Sequence, residues 1–290
     1  SILYISHKLE EIKTLCDWAT ILRNGRVVGQ CNPREETTQS LAKMMIGSSI
    51  KVPSHRKASF GTKRLIISSL SSNNLNPLGT NLNDISFTVH SGEILGIAGV
   101  AGNGQTELME ALSGETTTDI DSIQIDHKPV GQFGPTIRRN LGMCFIPEQR
   151  IGHAVAADMS LWENTLLSAR SSQGMVHGGI LKLSAAKAFA AKIITAFDVR
   201  TSGVDKHART LSGGNLQKFI IGREILQEPR VLAILQPTWG VDAAAADSIH
   251  RAIQELASNG AAVLLISQDL DELMAVSTTF GVIAGGRLSA

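Results

Sequence analysis

Residues 93–114 read EILGIAGVAGNGQTELMEALSG: an apolar run, a glycine-rich turn, and a helical pattern closed by Gly114. A mostly apolar strand running into a helix belongs inside a parallel sheet with helices on both faces. The turn fits G-x-x-x-x-G-K-[ST], whose backbone N–H groups cradle phosphate at a helix start. Gly99, Gly102, Gly104 and Thr106 stand where the pattern wants them, but Gln105 stands at the lysine. Three alternatives follow: the loop turns over a nucleotide, holds one, or does neither.

The rest of the chain supports the same fold class. Residues 141–147, 231–235 and 261–267 are short apolar strands, and a helix is expected from about residue 243. Residues 65–70 and 85–89 alternate like strands of a half-exposed sheet. From Ser160 to Phe197 the pattern turns helical. Ser160 with Glu163 predicts a capping box, and the Ala-rich stretch 184–197 predicts a helix capped by Ser184. The sum is an α/β domain with an antiparallel entry portion and a helical insertion.

Of the 290 residues 43% are hydrophobic, enough for a proper core. A net charge of +1 exerts no strong pull on nucleic acid or anionic membrane. Cys16, Cys31 and Cys144 are odd in number and irregular in spacing, which argues for a reducing, cytosolic setting without a disulfide framework. No apolar run approaches the roughly 20 residues of a membrane span. The start, SILYISHKLEE, lacks the pattern of a signal peptide and reads like the middle of a domain.

The chain also repeats itself. Residues 2–26 resemble residues 263–287 at a constant offset of 261: Leu3, Ile5, Ser6, Leu9, Glu11, Gly25 and Arg26 recur as Leu264, Ile266, Ser267, Leu270, Glu272, Gly286 and Arg287. Both copies read as strand, short helix, and strand ending in a glycine turn. His7 in the first copy becomes Gln268 in the second. Residues 47–64 are basic and interrupted by Ser, Gly and Pro, the composition of a solvated linker. The expected organisation is therefore 1–50, the tail of a first domain; 51–64, a linker; and 65–290, a second like domain, with a helical part at about 150–227.

LSGGN at 211–215 opens the helical stretch LQKFIIGREIL. By itself this is an anion-binding helix start or ordinary capping by Ser212. Its order is telling: glycine loop, IPEQR, LSGGNLQK, QPTWGVD and ISQDLDE. In that order these segments resemble ATP-binding cassette (ABC) proteins along essentially the whole chain. They look closest to the second cassette of tandem-cassette importers for sugars and nucleosides. Residues 2–50, including the terminal MMIG, resemble the end of the first cassette.

The resemblance implies a P-loop cassette with a RecA-like parallel core, and ATP and Mg²⁺ as cofactors. It places Gly99, Gly102, Asn103, Gly104, Gln105, Thr106 and Glu107 at a nucleotide loop, with Thr106 on the metal. Glu148 falls at the family's metal-contacting glutamine, Leu235 at the metal-holding aspartate, Gln236 at the general-base glutamate, and Gln268 at the switch histidine. Residues 61–86 lack the aromatic that stacks on adenine. An amide cannot take a proton from water at neutral pH, and a leucine cannot hold a hydrated metal. Catalysis at this domain's own loop is therefore expected to be negligible, with weak anion binding left open.

Cassettes work as head-to-tail pairs, so Ser212, Gly213, Gly214 and Asn215 would serve a nucleotide held by the first cassette, beside His7. Asp242 is an interdomain-loop aspartate at the nucleotide site, as the resemblance implies, or a helix N-cap, and both can hold together; Trp162 and Trp239 read as packing or interface residues. The implied partners are the first cassette, transmembrane permease subunits contacting residues 149–182 and, indirectly, a solute-binding protein, but no nucleic acid. The implied place is the cytoplasmic face of the membrane. A non-transport soluble ABC protein and a non-catalytic interaction domain that does not bind nucleotide remain the alternatives.

Overall fold

Two apolar patterns sort the chain into two sheets. The computed structural model describes residues 2–5, 9–23, 26–37, 40–41, 44, 60–73 and 79–289. His7, residues 51–59 of the linker and 45–47 of the MMIG segment lie outside them. The first part carries helix α1 (Leu9–Leu15) and strands β1 (Ala19–Arg23) and β2 (Arg26–Cys31), which form an antiparallel pair of their own. Ile2, Leu3 and Ile5 precede them, outside any strand and 96, 89 and 89% exposed.

The alternating segments form strands β3 (Lys63–Ser72) and β4 (Leu82–His90), longer at both ends than the sequence pattern predicts. The glycine loop joins β5 (Ile94–Ala98) to α2 (Gln105–Ser113). Then come β6 (Ile123–Ile125), β7 (Lys128–Pro129), α3 (Pro135–Asn140) and β8 (Met143–Ile146). Strands β3, β4, β6 and β7 make an antiparallel sheet in the order β4-β3-β6-β7.

The helical portion holds α4 (Leu161–Ala169), β9 (Val176–His177), β10 (Ile180–Leu181), α5 (Leu183–Ala196) and α6 (Gly213–Ile225). The chain returns through β11 (Val231–Leu235), α7 (Ala243–Ser258), β12 (Ala262–Ser267), α8 (Leu270–Val276), β13 (Thr279–Ala284) and β14 (Arg287–Ser289). The main sheet runs β14-β13-β5-β12-β11-β8; its ladders are parallel except the terminal β13–β14 pair. Every residue of β5, β8, β11 and β12 is buried, as strands covered on both faces must be. One apolar core lies between the two sheets around Ile97, Leu108 and Leu264; the other joins the main sheet to the helical portion around Phe219 and Leu265.

Three expectations need correction. The stretch 160–197 is not continuously helical, because Gly178 and Gly179, at φ 57° and 80°, turn β9 into β10. Two consecutive residues at positive φ make the two-residue hairpin turn whose twist suits antiparallel strands. Ser184 is not a cap, since α5 starts at Leu183 as the chain leaves this hairpin and its side chains make no capping bond. Helix α6 begins at Gly213, two residues before Asn215, and Ser212 makes no side-chain cap bond. The capping box of Ser160 and Glu163 forms as expected, as does the left-handed Gly114 closure of α2.

Candidate functional site: two glycine-bearing helix starts

The chemistry gathers at two helix N-termini. At the first, Gly104 has φ 109°, and a Cβ there would lie 3.2–3.3 Å from Gly286, Leu82 and Ile283, so glycine is required. Gln105 follows, only 6% exposed. Its Nε2 donates to the Val100 carbonyl (2.8 Å), and its Oε1 accepts from the Asn103 N–H (3.1 Å). Asn103 is tied to the β13–β14 turn: its side-chain oxygen accepts from the Gly285 N–H and its carbonyl from the Gly286 N–H. Glu107 accepts from the Thr80 N–H (2.9 Å), and Thr106 is exposed.

Behind this loop, Leu235 ends β11 buried in the inter-sheet core. Gln236 follows at φ 53°, in a left-handed conformation that costs a non-glycine residue roughly 1–3 kcal/mol and clusters at functional sites. Its Oε1 lies 3.2 Å from the Ser267 hydroxyl and accepts a long bond from the Gln268 N–H (3.4 Å). Ser267 donates more closely to Glu272 (2.6 Å), which also accepts from Thr238 and His250. Burial raises the Glu272 pKa, but those hydrogen bonds outweigh it and hold the carboxyl below its ordinary range. Gln268 and Glu148 are exposed. These residues do not fit a nucleotide with its Mg²⁺: an amide fills the loop, and an apolar side chain stands where the family resemblance would place the metal-holding aspartate.

The second start is open. Ser212 and Gly213 are exposed, and a Cβ on Gly214 would meet nothing within 4 Å. Asn215 donates from Nδ2 to the Ser212 hydroxyl oxygen (2.9 Å) and is itself oriented by the Arg200 N–H on its Oδ1 (2.9 Å). The Ser212 oxygen thus accepts within the protein, leaving its proton available to an incoming acceptor. Arg150 donates to the Gly213 carbonyl (3.3 Å), linking the segment after β8 to this start. Asp242 caps α7 by accepting from the Ala245 N–H (2.9 Å), and Trp239 beside it is 61% exposed. The start combines N–H groups, a hydroxyl and the positive end of a helix of 13 residues, all suited to an anion.

Both helices are anchored at their far ends by charged residues that the sequence reading missed. Arg138 is 0% exposed and donates to the carbonyls of Ala111 and Leu112, which end α2, and to those of Phe133 and Gly131. Burial lowers its pKa to about 10. At the end of α6, Glu224 is fully buried between Arg139 (2.7 Å) and Arg223 (2.8 Å), with Ser168 donating to it (2.7 Å). Burial alone would raise its pKa, but the two guanidinium groups bring it down to about 2. A charged Arg-Glu pair within FIIGREIL was the available signal, because such residues are buried only when paired. Arg138 offers none, standing beside Arg139 in what reads as a solvent-facing turn.

In the region 149–182, Leu161 belongs to the core, and Trp162 and Leu166 pack against it. Leu167 is 46% exposed and borders a pocket of about 130 Å³ with Met109, Arg139 and His153.

Comparison with known proteins supplies the family and the fold. The chain is 36% identical over 290 residues to a ribose import ATP-binding protein of Streptomyces avermitilis, covering 99% of this chain and 54% of that protein. It is 37% identical over 277 residues to a guanosine import ATP-binding protein of Bacillus subtilis, covering 95% and 54% respectively. It thus spans about half the length of the curated relatives it matches. A dimeric ATP-binding cassette, solved in a post-hydrolysis state with ADP and Pi, superposes with a TM-score of 0.66 at 17% identity, over 78% of this chain and 97% of that one. An ATP-binding subunit of an ABC transporter superposes at 0.64 and 22% identity, over 78% and 88%. At those identities the likeness establishes the P-loop cassette fold. The family model for ABC transporters matches residues 82–238, more than half of the sequence, and the chain belongs to that family.

Proposed function

We propose that this chain is the end of a first cassette joined to the second cassette of an ATPase subunit that drives import of a sugar or nucleoside. The observation that carries the reading is the opposite condition of its two helix starts: the domain's own loop is filled, while its LSGGN start is open. A cassette of this kind serves by donating Ser212, Gly213, Gly214 and Asn215 to ATP and Mg²⁺ held by its neighbour. Ser212 and the N–H groups of α6 would meet the terminal phosphate there, and His7 would complete that composite site from the first cassette. Gln236 and Gln268 would remain bystanders at the other site.

The repeat supports the two-cassette organisation. Shifted by 261 positions, α1 falls on α8 end to end. Val263, Leu264 and Ile266 are fully buried where their counterparts Ile2, Leu3 and Ile5 are exposed. Leu22 is 65% exposed, whereas its counterpart Ile283 lies against Gly99 and Gly104 of the glycine loop. The first copy therefore carries the faces of a cassette tail without the sheet and loop that would cover them. The sugar and nucleoside classes come from the relatives' names. Among the described residues no helix is long and apolar enough to cross a membrane. The import named for the relatives implies permease subunits as the transport path. The pocket beside Leu167 is their proposed seat, on the cytoplasmic face, with a solute-binding protein acting through them.

The test is ATP hydrolysis by the whole protein with its membrane partner. Ser212→Ala or Gly213→Asp should abolish turnover, the aspartate by setting a negative charge against a polyanion. Equal tolerance of both would reduce LSGGN to an ordinary helix start and defeat the reading. Cysteines placed across 149–182 should cross-link to the membrane subunit; products only from a distant face would reject the seat.

A further inference from the structure

Building on the cassette reading above, we propose that Gln105 is a built-in occupant of the glycine loop, its carboxamide standing in for a phosphate and excluding nucleoside polyphosphates.

The chemistry of the amide suits this role in a way that lysine does not. An ammonium group only donates, so it can take the Val100 carbonyl but cannot accept from a loop N–H. A carboxamide both donates and accepts. Here Nε2 reaches the Val100 carbonyl at one side of the loop, and Oε1 takes the Asn103 N–H at the other. That N–H belongs to the run of amides that would face a phosphate oxygen. The loop is thus stitched across its mouth by its own side chain, with donor and acceptor satisfied together.

Three further contacts make the closure stable. Gly99 gives the amide room, for a Cβ there would lie 2.6 Å from Nε2. Asn103 Nδ2 donates to the same Val100 carbonyl (2.8 Å), so that oxygen is held from two directions. The backbone of Asn103 cannot swing open freely, because Gly285 and Gly286 both donate to that residue. An entering phosphate would have to evict a buried side chain and leave its partners to find new ones, without a cation in the loop as recompense.

Hydrogen–deuterium exchange on the whole protein, followed in peptides covering residues 99–108, reads this directly with inorganic pyrophosphate as probe. The wild-type loop should exchange at the same rate with and without pyrophosphate. In Gln105→Ala the amides are released, and in Gln105→Lys a cation is added; both loops should slow about tenfold on adding the probe. Slowing of the wild-type loop overturns the proposal whatever the variants do. Two folded variants that ignore pyrophosphate also overturn it, since something other than the carboxamide would then close the loop. None of these readings needs ATP turnover, so they stand apart from the fate of the importer assignment.

Discussion

Helices α2 and α6 are built on one plan. Each starts in glycines, each runs its middle through an apolar core, and each ends on a buried arginine, Arg138 for one and Arg223 for the other. They differ at their first turns. The start of α2 is folded over by Gln105, whereas that of α6 leaves Ser212 exposed with its oxygen oriented by Asn215. On the proposed reading, a cassette scaffold keeps its architecture while one of its two anion-facing ends is silenced. What decides the chemistry is a few side chains at the N-terminus, because the N–H groups and the helix dipole are present in both.

The largest effect that would break this contrast concerns turnover. The chain alone should release no phosphate from ATP above background, since Gln105, Leu235, Gln236 and Gln268 are all altered together. Steady-state turnover on the order of 1 s⁻¹, ordinary for an enzyme, would contradict it. In the whole protein, Ser212→Ala should lower the rate by about 10²–10³, the usual cost of losing one positioned donor. Gln105→Ala should leave it within about twofold on the same scale.

The shared anchors come next in size. Glu224→Ala strands Arg139 and Arg223 without their carboxylate and should cost about 3–5 kcal/mol in denaturant unfolding. The pH dependence has a definite sign. A carboxyl held near 2 in the fold, against an ordinary 4.5, contributes its full stability above about 4.5. That contribution is lost as the pH falls from there through about 2, and melting curves of Glu224→Gln should lack it. The smallest effect sharpens the rule that starts must be read one by one. Ser160→Ala removes a true capping box and should cost about 1 kcal/mol, while Ser184→Ala should stay within about 0.5 kcal/mol.

The parts legible in the sequence are those written in periodicity and glycine placement. Strands β5, β11 and β12 declare themselves because burial on both faces leaves no charged residue and, apart from Ser267 at the end of β12, no polar side chain. Gly114, the LSGGN start and the 261-residue repeat are equally plain. The hairpin β9–β10 escaped because two-residue strands carry no period of their own and lie between two helical stretches. Arg138 and Arg139 are adjacent and chemically identical, yet only the first is swallowed, since the single turn of α3 points it at the end of α2. At Gln105 the letter reveals a missing cation. It does not reveal that the side chain turns back, because that depends on where the Val100 carbonyl and the Asn103 N–H are held.

The exposed run Ile2–Ile5 has a colloidal consequence. Ile2, Leu3 and Ile5 present three bare aliphatic side chains to solvent, and exposed apolar surface of this kind promotes association. A solution of this chain by itself should form associated species as its concentration rises, readable by light scattering. The same side chains, covered as their counterparts Val263, Leu264 and Ile266 are, would turn from a hazard of storage into part of a core.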